Sequence, residues 1–555
     1  MIKKVIISIM LIITMCFNSI DALATYDGKT GIPDDMKGGS ILHAWCWSFK
    51  TIEKNMKEIA DAGYDAVQVS PPQECVVKQD CEICKNKPGK RFEKFKRKTI
   101  KKNGKVIKQE DGEPTFYNKT GCTCFKDNWY FHYQPTKFKI GNYQLGTREE
   151  FKEMCAAANK YNIKVIVDIV ANHVAADLKL VSDDIKRIPY AFHEKGNLKN
   201  WDDRRTVTHC NLFGMPDLNT HNKDVQKMIK NYMNDCLNCG ASGFRYDAAK
   251  HIELPKETDG EGEFGSDFWP EILNNGAKYQ YGEVFIKDFS KYAKYMNVTA
   301  SNYGAKIRRE VIRNKCLDRN KIMDYESEGV DGDKLVTFVE CHDNYAIQLD
   351  DTFKDQEKEI NSWDLTDNDI TVGWAIVAGR AAGIPLFFSR PFGGGGNIKF
   401  PEITKVGDKG SSLFKDPYIV AINKFRKAMK DEDEYLRNPD NNNLLIIERG
   451  TQNKIKYQGA IIINRSEKNQ SGKLKINSRT KLDAGEYIDI LSGATFTVKE
   501  KVYDPEIVNG EPQDSGLNGL SGNTEGEISV LVNKSDVKEL KPLFSSIQQN
   551  QYYFE

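Results

Sequence analysis

Short apolar, β-branched runs recur along the first 430 or so residues, at 41–45, 65–70, 164–170, 243–249, 280–285, 334–342 and 384–389. Between them lie patterns of helical period, for example at 52–62, 148–160, 223–237 and 367–382. In 148–160, Phe151, Met154, Cys155 and Ala158 fall at i, i+3, i+4 and i+7, a one-faced apolar stripe. Strands that alternate with helices predict parallel βα units. Seven readable strands, with room for an eighth near 322–327, predict an α/β fold of the (β/α)8 TIM-barrel type. A doubly wound open sheet is the rival, but no G-x-G-x-x-G follows the first strand.

Two stretches break the rhythm. Residues 75–127 form a long insertion after the second strand, and 174–222 form an excursion after the third, rich in Asp, Asn, His and Trp. Beyond about residue 430 the helical pattern gives way to short β-like runs at 443–448, 459–464 and 528–532, separated by Gly/Asn/Ser turns. The predicted organisation is therefore a barrel over 25–173 and 223–429 that carries the Cys/Lys-rich insertion 75–127. An inserted domain follows strand 3 at 174–222, and a C-terminal antiparallel β domain occupies 430–555. Residues 1–24 read as a secretory signal: two lysines, an apolar run from Val5 to Phe17, then Ala22-Leu23-Ala24. The apolar run is shorter than the ~20 residues needed to span a membrane. The expected location is extracellular, or the lumen of a secretory or digestive compartment, with no membrane contact after cleavage.

Composition narrows the function classes. The chain has 555 residues, 80 Lys plus Arg against 79 Asp plus Glu, 39% hydrophobic and 10% aromatic residues. A net charge of +1 gives no whole-chain case for a nucleic-acid partner, and the apolar content excludes dominant disorder. Within the insertion, 85–108 holds 12 Lys or Arg and one Glu; a solvated, cysteine-anchored loop is the expectation, a polyanion patch the alternative. Twelve cysteines remain after Cys16 in the leader, an even number that suits disulfides in an oxidising compartment. The spacing Cys81-x-x-Cys84 would also suit zinc. Five N-x-S/T sequons occur, at Asn118, Asn297, Asn464, Asn469 and Asn533.

Active sites of such barrels form at the carboxyl ends of the strands. The third predicted strand runs from Asp168 into Asn172-His173, the fourth into Arg245-Tyr-Asp247-Ala-Ala-Lys250-His251, the fifth into Gly282-Glu283, and the seventh into Glu340-Cys-His342-Asp343. Asp247, Glu283 and Asp343 thus converge from three strands, with histidines beside them. Retaining cleavage of a glycosidic bond needs two carboxyls ~5–5.5 Å apart, one nucleophile and one proton donor. Arg245 and Asp247, two apart, share one strand face, so the guanidinium is expected to hold Asp247 ionised.

These strings resemble the α-amylase family, glycoside hydrolase family 13. Its four signature regions are legible at 168–173, 243–251, 282–283 and 338–343, and a fifth at Met215-Pro-Asp217-Leu-Asn219. The strings Leu42-His-Ala-Trp-Cys-Trp-Ser-Phe49 and Ala248-Ala-Lys-His-Ile-Glu-Leu-Pro255 are most similar to secreted Bacillus-type saccharifying members. The resemblance implies that Asp247 is the nucleophile, Glu283 the general acid/base and Asp343 the transition-state stabiliser. It implies sugar contacts from Arg245, His173, His251, His342, Tyr133, Gln134 and Lys250, and a structural calcium at Asn172, Thr208, Asp217 and the backbone carbonyl of His251. The implied substrate is an α-1,4-glucan (starch, glycogen or maltooligosaccharides), cut internally with retention by a monomer. A transglycosylase of the same family would share every catalytic residue, and a non-catalytic carbohydrate-binding barrel is the remote alternative. Cys341 stands where chloride-activated members carry an asparagine, so chloride activation is not expected.

Overall fold

The computed structural model describes residues 32–77, 99–102, 105–109, 122–193, 195–323, 325–347, 361–439, 443–452, 454–465, 474–500, 506–508, 511–513, 517–545 and 547. The leader-like segment, Cys81, Cys84 and most of the basic run 85–108 lie outside the described residues.

Eight strands close into a parallel barrel: β1 (Ile41–Ala44), β2 (Ala66–Val69), β3 (Lys164–Val170), β4 (Gly243–Asp247), β5 (Tyr279–Gly282), β6 (Asn297–Thr299), β7 (Leu335–Phe338) and β8 (Ile384–Phe388). They neighbour one another in chain order, and β8 returns to β1 with Ile41 opposite Leu386. Both faces of these strands are buried, which is why they read as continuous apolar runs. Alternate positions sort to two sides. Ile41, Ala66, Ile166, Tyr281, Val336 and Ile384 pack together as one cluster in the lumen. Leu42, Val67, Val167, Phe244, Leu335 and Phe387 join the core beneath the helices.

The eighth strand is not near 322–327. It is Asn297–Thr299, sixth in order, paired with β5 through Tyr281 and Asn297 and with β7 through Val298 and Leu335. Three residues are too few for a period of two to show in sequence. The predicted position instead holds a helical turn, Arg319–Ile322, and a 3-10 turn, Tyr325–Glu328.

Each strand feeds a helix: α1 (Phe49–Asp61), α2 (Arg148–Lys160), α3 (Lys223–Asn238), α4 (Phe268–Leu273), α5 (Phe289–Tyr292), α6 (Ser301–Lys306), α7 (Asp367–Gly379) and α8 (Pro417–Ala428). The stripe of α2 is buried as its spacing requires, at Phe151, Met154, Cys155 and Ala158. Its start is fixed by a reciprocal cap: Glu150 N–H donates to Thr147 Oγ1 at 3.1 Å, and Thr147 N–H to Glu150 Oε2 at 2.9 Å. Such caps contribute about 0.5–2 kcal/mol. Helix α7 is apolar on every side because it lies between the barrel and a second sheet, where Gly379 abuts Ile447 and Ile461.

That second sheet is antiparallel and eight-stranded, built from Glu434–Arg437, Leu444–Arg449, Gly459–Asn464, Lys475–Thr480, Gly485–Asp489, Thr495–Lys499, Asn518–Asn523 and Ile528–Asn533. The period of two divides it: Leu445, Ile447, Ile461, Ile463, Val530 and Val532 join the barrel-side core, while Ile446, Ile462 and Leu531 pack with Phe496 and Leu520. Arg380 ties the layers by donating from Nε to both carboxylate oxygens of Glu434 at 3.0 Å.

The expected disulfides do not form at Cys46, Cys75, Cys155, Cys210, Cys236, Cys239, Cys316 or Cys341, which carry free thiols. All but Cys316 and Cys341 are buried, in the manner of small apolar side chains. Burial raises the Cys46, Cys75 and Cys236 thiols, which starves them of reactive thiolate. Two sequon asparagines, Asn297 and Asn464, are also buried within strands, so neither can accept a glycan in the folded chain.

Candidate active site

The carboxyl ends of β3, β4, β5 and β7 bring four carboxyl groups around one guanidinium. Arg245 and Asp247 occupy alternate positions of β4 and share its inward face. Arg245 Nη1 donates to Asp168 Oδ1 at 2.7 Å, to Asp168 Oδ2 at 2.8 Å and to Asp247 Oδ1 at 2.7 Å. Its Nη2 lies 2.6 Å from Glu283 Oε1. The second oxygen, Glu283 Oε2, accepts the N–H of Ala248 at 2.8 Å. Ala248 reaches that position by adopting φ +49°, a left-handed conformation rare outside glycine and one that marks functional turns. Asp343 completes the group, close enough to Glu283 for each carboxyl to influence the other.

Asp168 was not among the candidates. The signal for it was the same alternation: Asp168 sits opposite Arg245 in the β3–β4 register. Gln73 is a second unforeseen support. Its side-chain amide mimics a strand, donating to Val170 O and accepting Val170 N–H, both at 3.0 Å, where β3 ends before Asn172.

The electrostatics follow from four acids facing one base. Burial pushes Asp247 up, and Arg245 only partly pulls it back. Arg245 pulls Asp247 toward its ionised form, but the guanidinium is divided among Asp168, Asp247 and Glu283. Burial, then the charge of Asp247, raises Glu283 against the pull of Arg245. Burial and Glu283 raise Asp343 as well. A carboxyl held protonated beside an ionised one is the arrangement acid-assisted cleavage requires.

Histidines and aromatics roof this cluster. Tyr133 stacks on His342 with centroids 4.9 Å apart and planes 6° apart, and its hydroxyl donates to Asp168 Oδ2 at 3.2 Å. His342 Nε2 lies 3.2 Å from Asp343 Oδ1. His173 Nε2 donates to Tyr133 O at 3.0 Å, which leaves Nδ1 to accept from Asn172 Nδ2 at 3.3 Å. His251 Nδ1 donates to Val207 O at 2.9 Å. Burial lowers His173 to about 4 and His251 to about 3, so both are neutral at ordinary pH. Lys250 stands apart from the triad, with Nζ on Phe285 O at 3.1 Å; Gln134 is half-buried beside Tyr133. Trp201, which was not among the sequence candidates, meets the His251 ring edge-on at 5.8 Å.

Gly282 sets the height of Glu283. A Cβ there would lie 2.7 Å from Met296 Sδ and 2.8 Å from Ala249 Cβ. Gly282→Ala is expected to cost about 1–3 kcal/mol in overpacking and to lower kcat by displacing Glu283; urea midpoints and initial rates check both.

The metal candidates meet as two pairs. Asn172 lies against the Asp217 carboxyl, and Thr208 adjoins Val207, whose carbonyl holds His251. Asp217 is buried, burial and Glu253 push its pKa well up, and its Oδ1 has no hydrogen-bond partner among the described residues.

A closed parallel barrel with an acid cluster at its carboxyl rim is the setting in which barrel enzymes place their active sites. The family model for the alpha amylase catalytic domain matches residues 123–308, which include Asp247 and Glu283. An α-amylase of Butyrivibrio fibrisolvens is 34% identical over 91% of this chain and 48% of its own length. One of Clostridium acetobutylicum is 34% identical over 85% of this chain and 53% of its own. The chain therefore spans about half the length of these curated relatives. Among solved structures, a mutant of α-amylase I from Eisenia fetida in complex with maltohexaose covers 91% of this chain and 98% of that one, at 18% identity and TM-score 0.60, a likeness of fold. The chain belongs to the α-amylase family of glycoside hydrolases.

Proposed function

We propose that this protein is a secreted, endo-acting α-1,4-glucan hydrolase that retains anomeric configuration. The observation that carries the reading is the shared guanidinium: one Arg245 contacts both Asp247 and Glu283, which favours the close carboxyl pair of retaining enzymes. Glu283, raised by burial, donates its proton to the leaving glycosidic oxygen while the Asp247 carboxylate attacks the anomeric carbon. The bond to the leaving chain breaks as a glycosyl ester forms. Glu283, now a carboxylate, takes a proton from water, whose oxygen displaces Asp247 and releases the sugar. Asp343 and His342 would bind hydroxyls of the distorted ring, and Tyr133 would stack beneath it. The leader pattern at 1–24 supports export.

A calcium ion fits one part of the structure. Asp217 Oδ1 is buried without a partner and Asn172 lies beside it, an oxygen-rich setting suited to a hard cation. With Thr208 and the His251 carbonyl, these residues would hold calcium, whose charge would fasten 174–222 to the barrel. Removing it with a chelator is expected to lower the thermal midpoint, and re-adding calcium to restore it.

The test is product analysis on soluble starch with anomer detection by NMR. Short α-anomeric maltooligosaccharides from internal cuts are the expected result. Longer or branched products would make the protein a transglycosylase. β-Anomers would overturn the retaining assignment.

A further inference from the structure

Three histidines outside the cleft converge within the excursion after β3. The rings of His193, His209 and His221 have centroids 4.2, 5.8 and 6.1 Å apart, and each offers a ring nitrogen within 4.8 Å of the others'. Two carboxylates back them. His193 Nδ1 lies 2.7 Å from Asp217 Oδ2. His221 Nε2 lies 3.4 Å from Glu253 Oε1 and 3.1 Å from Phe264 O. Asp217 and Glu253 are buried, and neither has a lysine or arginine in ion-pair range among the described residues. Three buried polar atoms lack any hydrogen-bond partner among the described residues: His209 Nε2, Asp217 Oδ1 and Glu253 Oε2.

Ordinary ring packing accounts for the centroid distances. It does not account for a buried, unpartnered imidazole nitrogen beside two buried carboxylates that have no lysine or arginine against them among the described residues. Histidines that ligate a metal typically give their other ring N–H to a carboxylate or carbonyl, as His193 and His221 are placed to do. His221 is exposed, which opens a path for an ion. Imidazole nitrogens select a borderline cation over calcium, which prefers oxygen donors.

We propose that His193, His209 and His221 form a transition-metal site, with zinc as the fitting ion, distinct from the calcium set. Its fourth ligand is water or the free Glu253 oxygen. Asp217 joins the two sites, Oδ2 orienting His193 and Oδ1 facing the oxygen set. The ion would clamp residues 193–221 to Glu253, six residues beyond Asp247.

The experiment is zinc titration of the full chain, stripped of metal and then saturated with calcium, by calorimetry and elemental analysis. One zinc per chain is expected. His209→Gln and the exposed-site variant His221→Asn should each weaken binding at least ~10-fold, with circular dichroism unchanged. Cobalt(II) in place of zinc should give a tetrahedral visible spectrum without thiolate charge transfer. The proposal is overturned if the wild-type chain binds no zinc, if both variants bind as wild type, if calcium displaces zinc one for one, or if cobalt reports thiolate ligands. None of these readouts depends on glucan cleavage, so failure of the hydrolase reading and failure of this site are separable.

Discussion

Asp247→Asn is expected to lower kcat on starch by on the order of 10⁴-fold, as loss of a covalent nucleophile does in other hydrolases, while the chain stays folded. The amide keeps the shape and loses the charge that attacks the anomeric carbon. Glu283→Gln is expected to be comparably impaired on starch but not on an α-glucosyl fluoride, because fluoride departs without protonation. That contrast separates the two roles, and equal losses on both substrates for both variants would sink the assignment. The same substitution tests the electrostatics. Asp247 raises Glu283, so removing its charge, and freeing Arg245 to act on Glu283, should move the Glu283 titration to lower pH. Carboxyl infrared bands in the Asp247→Asn variant would read that direction.

Arg245→Met is expected to carry the second largest effect. Arg245 is buried and contacts Asp168, Asp247 and Glu283. Removing this cation leaves the buried acids it contacts uncompensated, which costs about 3–5 kcal/mol for a broken buried pair. The sign with pH is fixed by the shifts. Arg245 lowers all three carboxyls, so without it their folded pKa values rise further above the unfolded value near 4. Groups raised in the folded state stabilise below the unfolded pKa, and that stability is lost as pH rises through the folded pKa. The variant should therefore lie nearest wild type in acid and fall behind as pH rises toward 7. Urea midpoints measured from pH 4 to 7 check this; a constant deficit would mean that Arg245 acts through packing.

Much of this was legible in residue order alone. Strands buried on both faces declare themselves as continuous apolar runs, and α2 by a stripe at helical spacing. Acids and histidines stood at the ends of those runs, so Asp247, Glu283, Asp343, His173 and His342 could be placed in one site because a parallel barrel gathers its strand ends. What sequence could not settle depended on contacts between distant segments. β6 is too short to carry a period and exists because β5 and β7 flank it. The division of Arg245 among three acids, and with it the upward shift of Asp247, follows from the β3–β4 register and from burial, neither of which is a local property. Buried thiols such as Cys46, Cys75 and Cys236 stayed unpaired because the fold set them into the packed interior, whatever the parity of the count. The three histidines of the excursion, 28 residues apart at their extremes, became a cluster only when the chain folded back onto Glu253. Local periodicity is written residue by residue, whereas the sharing of charge and the meeting of ligands are decided by which segments tertiary packing brings within a few ångströms.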